Sequence, residues 1–454
     1  MSPPIKTPLL PKQEPSSEKH GTTSGVVFNV STSIIGAGIM SMPAAFKVLG
    51  VIPALLIITV VAWLSTVSVG FLMKSTLSGE STTYAGVMKE SFGKLGSVAV
   101  QVVIMVSTFG GIVVFSIIIG DVLCGSDNGG SVHLGVLQEW FGSHWWNTRI
   151  FALLFTNIFI LLPLVLCRRV ERLAFSSAVS FLLAVFFVVI SSVLAISALM
   201  KGQTKSPRLF PDLTNGGSFW NLFTASPVIV TAFTFHFNGE NPSHTHNIQK
   251  ITRHLFFGAV HPIGFELKDP LHVIPATKIS VILCAAIYFA TGLFGYLLFG
   301  DATMSDILVN FDESSGSSIG SLLNDIVRLS YALHLMLVFP LMNFSLRANL
   351  DELMFPTRKP LAEDTNRFIG LTLALLICCF LSAIAVPNIW YFFQFMGSTT
   401  TVSIAFIFPA AIVLKNVHGV STSSEKMVAA IMLVLAVATS IIAISTNLYS
   451  LTSN

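Results

Sequence analysis

One apolar run, Gly25 to Leu49, constrains this chain more than any other feature. It is long enough to cross a bilayer, yet it carries Ser33, Gly36, Gly38, Ser41 and Pro43 in its middle. A spanning helix of about 20 apolar residues satisfies its own backbone. Two glycines, a pair of serines and a proline mark a place where such a helix breaks. A break at membrane depth strands N–H groups in hydrocarbon at several kcal/mol each, so it persists only where it lines a cavity. There the free N–H groups and the helix dipole hold an anionic group, as in carriers built from discontinuous helices. The pattern points to a carrier for a small molecule bearing a carboxylate.

The rest of the chain agrees. Its 454 residues are 53% hydrophobic and only 10% charged, where soluble domains carry about 25% charged residues. The class is an all-α polytopic membrane protein, with the lipid bilayer as its partner and no nucleic acid. Eleven stretches are long and apolar enough to span: about 25–48, 51–74, 97–121, 150–167, 173–199, 218–238, 279–300, 320–346, 368–386, 389–414 and 427–449. Residues 1–22 are rich in Pro with mixed Lys and Glu and lack a signal peptide's apolar core, so they read as a disordered cytosolic tail. Residues 23–450 form the transmembrane transporter domain. Lys and Arg stay on the cytosolic side of membranes. With the N-terminus in the cytosol, nineteen of the 25 Lys and Arg fall on inside segments, five fall outside, and Arg328 lies within a span. The outside set is Lys47, Arg149, Lys201, Lys205 and Arg208, and the acidic loop Asp301 to Asn324 has no Lys or Arg at all. The five cysteines show neither a disulfide framework nor metal spacing and read as small apolar packing residues.

The sixth stretch answers the first. Phe219 to Asn238 is apolar yet rich in hydroxyls, with Pro227 in its outer half and Phe233-Thr-Phe-His-Phe-Asn238 at its inner end. Carriers built as inverted repeats place a broken helix at the start of each half. Stretches one and six are five apart, and an odd number of spans inverts the second half. The two breaks then meet antiparallel at the midplane, in a five-plus-five inverted repeat with broken helices 1 and 6.

At these residues the chain resembles a known family. Val27-Phe-Asn-Val-Ser-Thr-Ser-Ile-Ile-Gly-Ala-Gly-Ile-Met-Ser-Met-Pro43 is similar to the first-helix signature of the amino acid/auxin permease family. Phe233-Thr-Phe-His-Phe with His261-Pro-Ile-Gly-Phe-Glu-Leu-Lys-Asp269 resembles its sixth helix and following loop, and Phe294-Gly-Tyr-Leu-Leu-Phe-Gly300 the end of its seventh span. The similarity runs from Gly25 to Leu448 and is closest to the plant vacuolar amino acid transporter branch. It implies eleven spans, amino acid substrates, and a vacuolar or other endomembrane address rather than the plasma membrane. Leu9-Leu10 after Pro8 adds a thin dileucine-like sorting signal. One departure stands out. In the family, Phe-His-Phe-Asn runs almost directly into Val-His-Pro-Ile-Gly, whereas here residues 239–259 intervene, polar and rich in His. The segment reads as a translated, retained intron: Asn238-Gly239 is compatible with a GT start, and Leu255-Phe-Phe-Gly-Ala-Val260 with a pyrimidine run and CAG. A genuine regulatory loop is the rival. His244, His246, His254 and His261 invite a zinc reading, but a solvated loop is favoured over it, so no metal or cofactor is expected.

The candidate site follows. The substrate's carboxylate sits on the N–H groups of Gly36, Ala37 and Gly38, with Ser31, Thr32 and Ser33 just before the break. Against this stands close helix packing by small residues, and back-bonding of each hydroxyl to its own helix. From the sixth span, Thr231, Phe233 and Thr234 face the same gap, and unwound carbonyls there take the ammonium group. His236 and His334 are proton-coupling candidates, since an imidazole of ordinary pKa near 6.5 suits the task and ionisable groups at membrane depth are usually functional. For each the plain alternative is a neutral His bonded between helices. Asp325 and Arg328, spaced i, i+3, read as a pair near the outer face, with Ser330 on the same helix. Sodium-coupled relatives place an amide near Thr32, and its absence here tilts the coupling ion from sodium towards protons. No P-loop, no Gly-x-Ser-x-Gly and no acid pair appears, so neither ATP-driven transport nor an enzyme is expected. The expected function is secondary active transport of neutral amino acids by alternating access. The alternatives are a carrier of another carboxylate such as auxin, and a membrane-resident amino acid sensor without flux.

Overall fold

A computed structural model describes residues 27, 30–31, 34–81, 83–128, 131–166, 171–202, 204–213, 216–234, 273–312, 318–355, 358 and 361–453. Thr32, Ser33, His236, the 1–22 tail and the 239–259 segment lie outside the described residues.

The first apolar run is broken where its composition demands. Val27, Val30, Ser31 and Ile34 are helical, Gly36 is extended at φ −136° and ψ −158°, and the chain restarts as a 3-10 turn, Ala37–Ser41, followed by an α-helix, Met42–Leu49. We call Ala37–Leu49 α1. Gly50 turns the chain into α2 (Val51–Ser78), and only glycine fits there. Its φ is +77°, and a Cβ would lie 2.7 Å from the Phe210 carbonyl carbon. α3 (Tyr84–Cys124) is interrupted at Gly93, whose φ of 69° lies in the left-handed region. A short hairpin, β1 (Ser126–Asn128) and β2 (Ser131–His133), pairs antiparallel with Asp127 opposite Val132. It leads to α4 (Val136–Phe141), α5 (Arg149–Leu166), α6 (Glu171–Met200) and α7 (Gly216–Ala232). After these come α8 (Val273–Phe299), α9 (Ser318–Met354), α10 (Thr365–Ala385), α11 (Ile389–Lys415) and α12 (Ser423–Ser453).

Among the described residues nine helices are long and apolar enough to cross a membrane. The two shorter apolar helices are Ala37–Leu49 and Leu222–Ala232. They are the two stretches whose glycine, proline and hydroxyl content marked them as broken. The other nine sequence stretches each coincide with a full-length helix; most ends differ by a few residues, but the helix over 97–121 begins at Tyr84 and the one over 320–346 runs on to Met354. Caps fix several starts: Thr83 accepts from the Gly86 N–H at 3.1 Å, Asp364 from Arg367 at 3.1 Å, and Asn388 from Trp390 at 2.9 Å.

α8 packs along α1 and α2, α9 along α3 and α6, and α7 against α1, α11 and α12. α11 is wound wide in its middle, with π turns at Gly397–Thr401 and Ser403–Ile407. Such turns leave carbonyls poorly satisfied and gather at functional sites. Here the Tyr84 hydroxyl donates to Ile404 O at 2.8 Å and the Ser68 hydroxyl to Ala405 O. The close approach of α11 to α7 is made at Gly397, where a Cβ would meet Pro227 O at 2.1 Å.

Candidate substrate site at two broken helices

The two discontinuities meet. A Cβ on Gly38 would stand 2.7 Å from the Ala232 Cβ and 2.8 Å from its Cα, so the restart of α1 rests directly on the last residue of α7. Beyond Ala232 the chain leaves the helix: the Phe233 N–H is shared between Ile229 O and Val230 O, each at 3.2 Å, and the Thr234 N–H turns to Thr231 O at 3.2 Å.

The freed carbonyls are held by tyrosines from neighbouring helices. Tyr288 on α8 donates its hydroxyl to Ile34 O at 2.5 Å and to Ala232 O at 2.9 Å, spanning both breaks. Its ring meets Phe233 edge-on with centroids 5.1 Å apart. Tyr331 on α9 donates to Gly36 O at 3.1 Å, and its ring lies 5.0 Å from that of His334. Neither tyrosine was singled out by the sequence. A tyrosine inside an apolar span carries no local mark, and only the meeting of spans one, six, seven and eight gives its hydroxyl a partner. Tyr288→Phe removes the donor from two buried carbonyls, at about 1–3 kcal/mol for each group left unsatisfied. A lowered thermal unfolding midpoint together with weakened transport is the expected result.

The N–H groups are arranged differently. Among the described residues, no backbone carbonyl receives the N–H of Gly36, Ala37 or Gly38. Ser31, 7% exposed, has a buried hydroxyl with no hydrogen-bond partner among the described residues. A cluster of donors unpaired in the interior marks a place for an anionic acceptor. The two glycines divide the work. A Cβ on Gly36 would meet nothing within 4 Å, whereas one on Gly38 would clash with α7. Gly36 faces open space, and Gly38 is a packing contact. Thr231 and Thr234 spend their hydroxyl protons on backbone: Thr231 donates to Pro227 O at 2.9 Å and Phe393 O at 3.3 Å, and Thr234 to Val230 O at 2.9 Å. Their oxygens remain acceptors for an ammonium group. His334 is buried beside Tyr331, and Ser330 back-bonds to Val327 O at 2.9 Å.

Two polar segments beside this site, α4 and residues 303–312, tie to α9 and α1 and are together called the lid. Arg328 reaches Glu139 on α4 at 2.5 Å and Leu134 O at 2.5 Å, with Asp325 at 3.8 Å. The i, i+3 pair is therefore the long arm of a bridge between α9 and the lid. Burial holds the Glu139 carboxyl above its ordinary range, against the pull of Arg328. The segment between α8 and α9 ties to α1: Ser41 donates to Ser305 O at 2.7 Å and the Lys47 ammonium to Thr303 O at 3.1 Å. Asp306 follows directly. It is 1% exposed, accepts the Leu308 N–H at 2.9 Å through Oδ1, and leaves Oδ2 buried with no partner among the described residues. Burial pushes its carboxyl well above the ordinary range and Asp121 adds to this. The Leu308 N–H, Arg149 and Arg328 pull the other way. Sequence reading saw only an acidic loop here; nothing local distinguishes Asp306 from Asp301, which is largely exposed.

Known proteins share this architecture. A family model described as transmembrane amino acid transporter protein matches residues 19–241 and 256–450. The chain belongs to that family, and the resemblance carried by Val27 to Pro43 is borne out. Amino acid transporter AVT6C of Arabidopsis thaliana is 81% identical over 456 residues, covering 100% of this chain and 100% of that protein. Amino acid transporter AVT6D of the same plant is 71% identical over 457 residues, covering 100% of this chain and 99% of that one. The crystal structure of MhsT in complex with L-phenylalanine superposes with a TM-score of 0.52 at 13% identity, covering 94% of this chain and 99% of that one, and shares the fold. The protein is a multi-pass membrane transporter of the amino acid class and not an enzyme.

Proposed function

We propose that the chain is a secondary active carrier of neutral amino acids that works by alternating access, with the two broken helices as its binding centre. One observation carries the reading: among the described residues, three N–H groups and the Ser31 hydroxyl have no partner, at a break that rests on the end of a second broken helix. The carboxylate binds Gly36, Ala37 and Gly38 together with Ser31. The ammonium group takes the oxygens around Thr231, Phe233 and Thr234. Neutral side chains are favoured because the arginines nearest the interior are already engaged: the buried Arg328 by Glu139, the partly exposed Arg149 by Asp121, and the buried Arg347 by Thr372 at 2.6 Å. Protons are the coupling ion, through His236, His334 and the half-satisfied Asp306 carboxyl. The architecture is eleven spans in a five-plus-five inverted repeat with the N-terminus in the cytosol, in a vacuolar or other endomembrane. The family match omits residues 242–255, which supports reading 239–259 as an insertion.

Uptake of labelled amino acids into proteoliposomes tests this. Saturable flux of neutral amino acids, faster with a proton gradient, is expected. Saturable binding without flux would replace the carrier with a sensor. Gly36→Ala refines the site. The added methyl enters open space at a φ that alanine adopts freely, so folding is unchanged. The methyl occupies room meant for substrate, and KM rises by roughly 10-fold or more, with an unaltered KM removing Gly36 from the site.

A further inference from the structure

A large cavity outside the break lies on the lipid-facing side of α2 and α8. It encloses about 1050 Å³, the upper end of ligand-pocket sizes, and its wall is mostly apolar. From Thr59 to Lys74 on α2 is fifteen residues, about 22 Å of helix at 1.5 Å per residue, more than the roughly 15 Å of one leaflet's hydrocarbon. Trp63 and Ile282 border it and are 57% and 69% exposed.

Two features separate this groove from an ordinary lipid-facing furrow. The first is charge, gathered at one end. Lys74, Lys278 and Glu425 meet there; Lys74 pairs with Glu425 at 2.8 Å, while Lys278 is exposed and pairs with no carboxylate among the described residues. One cation is left at the mouth of an apolar slot. The second is Gly70 in the floor. A glycine inside a helix costs about 1 kcal/mol relative to alanine, and here no close backbone contact calls for it, since a Cβ would meet nothing within 4 Å. Its effect is to keep the groove open.

We propose that this groove binds one anionic glycerophospholipid of the cytosolic leaflet, its acyl chain along Trp63, Gly70 and Ile282 and its phosphate on Lys278. Basic pockets between spanning helices at the cytosolic face bind anionic headgroups. The leaflet rests on the N-in orientation proposed above; the ligand class does not. Ala285 lines the groove one turn before Tyr288, so the lipid leans on the helix whose hydroxyl joins the two breaks.

The test uses the full-length protein reconstituted with phosphatidylcholine alone or with added phosphatidylserine, and native mass spectrometry of the lipids retained. Wild type retains one phosphatidylserine in preference to phosphatidylcholine. Lys278→Gln lowers that preference by about fivefold, the factor one lysine near a membrane surface contributes. Gly70→Leu fills the slot and abolishes retention of either lipid while the protein stays folded. Wild type without a preference, or Gly70→Leu retaining lipid as wild type does, overturns the assignment. Wild type that retains no lipid, as expected of a groove closed by the chain's own segments, overturns it equally. Transport without any proton dependence would undo the coupling reading above and leave these lipid outcomes untouched.

Discussion

Gly38→Val abolishes amino acid uptake while the protein still inserts and elutes as a folded species. The cause is contact. Even a methyl at this position would lie 2.7 Å from the Ala232 side chain and 2.8 Å from its backbone, and valine adds two carbons more. The obstruction on the far side is main chain, so no rotamer relieves it. Overpacking of this kind costs about 1–3 kcal/mol or more, within the 5–15 kcal/mol by which folded proteins exceed their unfolded states. The protein survives, and the two breaks are pushed apart. A displacement of about 1 Å at a site built on alignment is worth roughly 100-fold in rate. Initial uptake rates in proteoliposomes, normalised to inserted protein, measure the effect. Wild-type kinetics in this variant would show that the contact between the breaks is not needed for transport.

Asp306→Asn flattens the pH dependence of transport. In the closed lid the Asp306 carboxyl is buried and its affinity for a proton is raised. When the lid opens to water, an ordinary aspartate pKa of about 3.9 applies. The closed form therefore binds the proton more tightly. The two forms are equally protonated below about pH 4. Above it, closure becomes harder by about 1.4 kcal/mol per pH unit, until the raised value is passed. Wild-type flux falls as the solution on the lid side is made less acidic than the open-state value. Asparagine keeps the oxygen that accepts the Leu308 N–H and carries no proton to lose. The groups facing Asp306 are unchanged in the variant: Asp121 on α3, Arg149 on α5, Arg328 and Tyr331 on α9. Parallel pH profiles for the two proteins would assign the pH dependence to another group.

Much of this carrier was legible in the amino acids, for a physical reason. Helix breaks in a membrane have strong local causes, so Gly36, Gly38 and Pro43 in the first run and Pro227 with its hydroxyl-rich surroundings in the sixth announce themselves. The structure returns both as the short apolar helices. Ser31 was equally readable, a hydroxyl placed just before a break, and it stands unpaired. What stayed hidden depends on contacts between distant residues. Gly36 and Gly38 look alike in sequence, yet one faces space and the other α7. Tyr288 and Tyr331 gain meaning only from carbonyls more than fifty residues away. Arg328 looked like half of a local pair, but its short bonds go to Glu139 and Leu134.

The Tyr288 hydroxyl reaches one carbonyl of each discontinuous crossing. Drawing those crossings apart would break a bond that hydrocarbon cannot replace. α8 therefore ties the two crossings together through a single side chain.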